Sequence, residues 1–69
     1  MTYEELDNLF TYHAPKGDQT LRYEEIRHAA KMLGKAIIDN TPKSADQTAA
    51  IRKVREAMMT ANAAIACNE

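Results

Sequence analysis

The sequence predicts an all-α fold: a short N-terminal helix followed by a long antiparallel helical hairpin that assembles as a homo-oligomer. Three observations carry that expectation. Apolar residues recur at spacings of three and four from end to end, and no run alternates with the period of two that a strand requires. Turn chemistry is concentrated in two places, around Pro15 and Gly17 and around Asn40–Pro42. Of the 31 apolar residues 12 are alanine, which leaves 19 larger side chains in a 69-residue chain, a thin supply for a self-sufficient core.

The first helix is expected over residues 1–11. Thr2 followed three residues later by Glu5 is a capping-box pattern, in which each side chain satisfies a backbone N–H of the other. Leu6, Leu9 and Phe10 then give roughly two amphipathic turns. Residues 12–19 are a loop, because Pro15 and Gly17 both resist helix propagation. The second helix spans 20–39 with Tyr23, Ile26, Ala30, Leu33 and Ile37 as its seam. A turn at 40–44 follows, where Ser44 and Gln47 offer another capping box, and the third helix covers 45–66 with Ile51, Val54, Met58, Ala61 and Ile65 facing inward. Two long helices joined by so few residues must lie antiparallel, so the whole chain reads as one helical domain. Asn62 falls on the interior side, where it is expected to bond a neighbour and fix register. A second apolar stripe through Ala49, Ala50, Ala57, Met59, Ala64 and Cys67 fits close approach by another helix, although alanine is also simply the best helix former.

Charge and composition narrow the function. The formal charge of −1 does not suit a general binder of DNA or RNA, and the apolar stretches are too short for a signal peptide or a membrane span. The single cysteine, Cys67, permits neither an internal disulfide nor a CxxC metal pair, which fits a reducing intracellular setting. Residues 1–12 sum to −3, whereas five basic residues lie between Lys16 and Lys35, so an anion site belongs in or beside that central segment. Neither a cofactor, a metal nor a reaction is expected. His13 and His28 have no catalytic or ligating pattern around them, and the adjacent Glu24 and Glu25 point to different sides of a helix.

Arg27, Lys31 and Lys35 share one helical face at spacings of four, with Tyr23 a turn before them. Like charges so placed repel, and a phosphate facing them would turn that cost into charge-assisted hydrogen bonds. A solvated face with nearby glutamates is the alternative. Tyr12, which opens the loop directly after the first helix, is placed either to stack on a planar ligand or to close that helix onto the hairpin.

The string Tyr-His-Ala-Pro-Lys-Gly-Asp-Gln at 12–19, with Arg22-Tyr23, Ile26-Arg27, Ala30-Lys31, Pro42-x-Ser44 and Ala61-Asn-Ala-Ala-Ile-Ala66, resembles a family of small phage proteins. These share the hairpin domain of the anti-CBASS and anti-Thoeris sponges, and the resemblance covers most of residues 9–66. It implies a helical homo-oligomer, typically a hexamer, that holds cyclic dinucleotides such as 3′,3′-cGAMP between subunits without cleaving them, in the cytoplasm of the infected bacterial host. In the anti-CBASS branch a tyrosine stacks on the bases and a lysine fifteen positions later contacts phosphate. Tyr12 and Arg27 have that spacing, with arginine in place of lysine. The ligand-binding set is therefore Tyr12, Arg27 and Lys31, with His13, Lys16 and Tyr23 beside them. The same branch holds a cyclic trinucleotide with an arginine near the end of the last helix, whereas residues 57–69 contain no arginine or lysine, and Thr60 stands where many relatives carry tryptophan. Two alternatives remain open: a sponge for cyclic ADP-ribose isomers, as in the anti-Thoeris branch, and a helical protein-binding adaptor with no nucleotide ligand.

Overall fold

A computed structural model describes all 69 residues as three α-helices with no strand: α1 (Tyr3–Phe10), α2 (Gln19–Asn40) and α3 (Ala45–Asn68). The capping box of α1 is complete, with Glu5 N donating to Thr2 Oγ1 (3.1 Å) and Thr2 N to Glu5 Oε2 (3.3 Å). At α3 only half of the expected box forms. Gln47 N donates to Ser44 Oγ (3.1 Å), but the Gln47 side chain reaches back to the carbonyl and hydroxyl of Thr41 and laces the turn shut. Gly17 adopts φ +58°, the left-handed conformation that any Cβ disfavours, and this lets the loop swing into α2. The α2 start lies one residue earlier than expected because Gln19 is held on both sides: its own N–H reaches the Lys16 carbonyl, and its Oε1 accepts from Lys16 N (3.1 Å). The α3 end lies two residues later, at Asn68.

Helix α2 packs along α3 over most of their lengths, giving a flat molecule of 44 × 28 × 13 Å. The α2 residues turned toward α3 are Gln19, Tyr23, Ile26, Ala30, Gly34 and Ile37, all buried or half-buried. Leu33, expected in this seam, is instead 54% exposed. The reason is helical geometry: at about 100° per residue Leu33 and Gly34 straddle the centre line of the seam, and the missing Cβ of Gly34 is what admits Ile51 of α3 on its side. Gly34 therefore turns inward and Leu33 to the side. On α3 the seam is Ile51, Val54, Met58, Ala61 and Ile65, as expected.

The hairpin has almost no interior. Only Ile65 and Gln19 are buried, and Met1, Tyr3, Phe10, Tyr12, Leu21, Leu33 and Ile38 each keep more than half of their surface in solvent. The accessible surface is 5695 Å², against about 4,300 Å² for a compact monomer of 7.7 kDa. The radius of gyration is 15.0 Å, against about 11 Å for a compact chain of this length. No helix is long and apolar enough to cross a membrane.

Asn62 does not bond across the hairpin. Its amide nitrogen donates to the Met58 sulfur one turn back (3.4 Å), and its Oδ1 is buried without a partner. The close approach across the hairpin is made instead by Ile51 against Gly34, where a Cβ would stand 3.7 Å from Ile51 Cδ1.

Candidate functional site

The two broad faces of the hairpin differ in chemistry. On one, Arg27 and Lys31 of α2 and Arg55 of α3 border a trough of about 220 Å³ floored by Ala30, Gly34, Ile51, Val54 and Met58. Arg27 and Lys31 share this edge because four residues advance a helix by little more than one turn. Lys35, next in the same row, is exposed and outside the trough. The ion pairs of the molecule involve Arg22 alone, so none of the three cations at the trough has a carboxylate partner. On the opposite face Ile26, Ala29, Leu33, Ala57, Met58 and Ala61 line an apolar groove of about 470 Å³, with Lys53 as its one charged residue. Leu33 thus forms a lip of this groove, and Ala57 of the second stripe lies in it.

The remaining expected residues gather at the open end of the hairpin, where α1 and the loop are pinned to the end of α3. Asn8 Nδ2 donates to the Cys67 carbonyl (2.9 Å), and His13 Nε2 donates to the Asn8 carbonyl (2.8 Å). Lys16 Nζ donates to the Glu69 carbonyl (2.7 Å). Tyr12, one residue before the anchored His13, has no hydrogen bond of its own and is 82% exposed. Tyr23 is half-buried in the seam, so it packs the hairpin and lines neither the trough nor the groove. The structure therefore brings Arg27 and Lys31 together but leaves Tyr12, His13 and Lys16 away from them; none of these three lines the trough. From Gln19, where the loop ends, Arg27 lies about 12 Å further along α2.

Two features escape a reading of the sequence alone. Arg55 reaches the trough only because α3 runs back beside α2, a long-range consequence that no local spacing encodes. Arg22 and Glu69 are 47 positions apart and form the principal ion pair: Arg22 Nη1 donates to Glu69 Oε2 (2.8 Å) and Nη2 to Oε1, while Arg22 Nε pairs with Asp18 (3.2 Å). Arg22 holds the Glu69 carboxyl below its ordinary pKa of 4.5, and bonding from Gln19 and the charge of Lys16 add to this against partial desolvation. A carboxylate with a depressed folded-state pKa stabilises above the unfolded value and loses that contribution as pH falls through the folded one. Protection of the last turn of α3 is accordingly expected to be intact at neutral pH and to fall on acidification below about pH 4.5. Glu69→Gln should weaken protection at neutral pH and flatten the response. Amide hydrogen exchange, corrected for intrinsic rates, reads both.

Comparison with known proteins gives one result. The family model described as Acb2/Tad1, hairpin domain, matches residues 2–66, all but four residues of the chain, and so takes in α1 as well as the hairpin. No curated protein and no solved structure matches.

Proposed function

The chain belongs to the Acb2/Tad1 hairpin-domain family, the anti-CBASS and anti-Thoeris sponge family, and from that premise we propose that it sequesters a cyclic dinucleotide between subunits without cleaving it. Within that family, the observation that carries this choice of ligand is the unpaired cationic edge of Arg27 and Lys31 in a chain whose exposed Tyr12 lies fifteen positions before Arg27. The aromatic ring and the cations sit on separate parts of one chain, and association of subunits would supply Tyr12 from one protomer to the trough of another.

Assembly is supported by the surface arithmetic. The chain exposes about 1,400 Å² more than a compact monomer of its mass, more than the roughly 800 Å² that each partner contributes to a standard interface. The apolar groove and the exposed Leu6, Leu9 and Phe10 face of α1 are the surfaces that a second copy would cover. A closed homo-oligomer, a hexamer in this reading, would repeat one pocket by symmetry. A two-fold pocket suits a ligand with two bases and two phosphates.

The protein acts by stoichiometry. Its aromatic and cationic groups hold a ligand and offer no paired acid and base, so the ligand is released intact. The site of action is the cytoplasm of the infected bacterial host, where signal nucleotides of the immune response accumulate. Calorimetry with a panel of cyclic dinucleotides and a cyclic ADP-ribose isomer tests the proposal. The expected result is saturable, nanomolar binding of a cyclic dinucleotide such as 3′,3′-cGAMP, with unchanged nucleotide recovered after denaturation. Preference for the cyclic ADP-ribose isomer would reassign the cargo, recovery of a cleaved product would overturn the non-enzymatic reading, and binding of neither class would leave the adaptor reading.

A further inference from the structure

Arg55 has no role in the reading above, yet it stands on the α3 side of the trough opposite Arg27 and Lys31. Its helical neighbours at three and four positions are Ile51, Arg52, Met58 and Met59, so its own helix supplies no carboxylate to neutralise it. Lys31 is in the same situation, with Arg27, His28, Gly34 and Lys35 around it. Three unpaired cations converging from two helices on one depression repel one another, and a bound anion relieves that repulsion. The floor between them is apolar and kept open by Gly34, above which Ile51 is the nearest side chain. A cationic rim over an apolar floor matches an anion that also carries an apolar surface, such as a phosphodiester with its sugar and base. The trough encloses about 220 Å³, less than the roughly 300 Å³ at which small-molecule sites begin, so one chain holds only part of such a ligand.

We propose that Arg55 is a further ligand-binding residue, contacting phosphate across the trough from Arg27. This rests on the cyclic-dinucleotide reading, and the geometry adds a planar donor fork that grips two phosphate oxygens at once.

The test is titration of the full-length protein with 3′,3′-cGAMP in four forms: wild type, Arg55→Gln, Arg55→Lys and Arg52→Gln. Arg52 lies one turn away on α3 and outside the trough, so it controls for loss of one positive charge. Arg55→Gln, acting twice in a two-fold pocket, is expected to weaken binding about 100-fold or more, Arg55→Lys by less, and Arg52→Gln by less than about 3-fold, with unchanged melting temperatures because these side chains are exposed. Wild-type binding that Arg55→Gln leaves unaltered, or weakens no more than Arg52→Gln does, would overturn the role of Arg55 alone. No binding by the wild type would overturn the ligand reading and this inference with it.

Discussion

Replacing Tyr12 by alanine and Arg27 by glutamine together is expected to weaken cyclic-dinucleotide binding by about 10³- to 10⁴-fold, with the oligomer intact. Both side chains are exposed, so their loss removes little from the fold. In a two-fold pocket each substitution acts twice. At the lower ends of the usual ranges, two lost base stackings cost about 2 kcal/mol and two lost charge-assisted phosphate bonds about 3 kcal/mol. Their sum, near 5 kcal/mol, is between three and four decades in affinity and turns a nanomolar sponge into a micromolar one. Equilibrium titration beside native mass spectrometry separates lost binding from lost assembly. Undiminished affinity would show that the ligand sits elsewhere.

The second large effect concerns assembly. Ala57 lies in the apolar groove among Ile26, Ala29, Leu33 and Ala61, and Ala57→Glu would bury a carboxylate at any interface formed there, with Lys53, one turn earlier, as the only cation in the groove. Burial would strip water from both charges, and that desolvation costs several kcal/mol per contact, more than the pair with Lys53 returns. A hairpin whose only buried residues are Ile65 and Gln19 has little interior to fall back on. Dissociation and a large drop in melting temperature are therefore expected together, with the wild-type midpoint rising with protein concentration. Ala57→Ser should retain the oligomer, because its hydroxyl can bond a carbonyl of its own helix. Sedimentation and thermal melts at several concentrations provide the readout, and a fully assembled Ala57→Glu would rule out the groove as an interface.

The elements legible in the sequence were those set by neighbours along the chain. Thr2 and Glu5, Pro15 and Gly17, and Asn40 through Ser44 each act within a few residues, so the three helices and their joints follow from local rules. The α3 seam was legible for the same reason. Leu33 was misplaced because it and Gly34 straddle the seam, and only the approach of Ile51 from α3 to Gly34 decides between them. Asn62 was misread because its position predicts burial but not a partner, and no donor stands opposite its Oδ1.

The candidate site divides along the same line. Arg27 and Lys31 fall on one edge because they lie four apart on one helix. Arg55 joins them, and Arg22 finds Glu69, only through the antiparallel return of α3. Lys16 and His13 prove to be tied to Glu69 and Asn8 within the chain, which leaves Tyr12 as an exposed ring directly beside an anchored residue. In the proposed assembly that ring meets the trough of a second copy, a relation that no pattern within one chain records.

Native mass spectrometry of the wild-type protein, with and without a mixture of cyclic dinucleotides, reports subunit number and bound mass together. A closed oligomer that gains whole, unmodified dinucleotides in a fixed ratio to its subunits is the expected result. A monomer that gains no mass would contradict it.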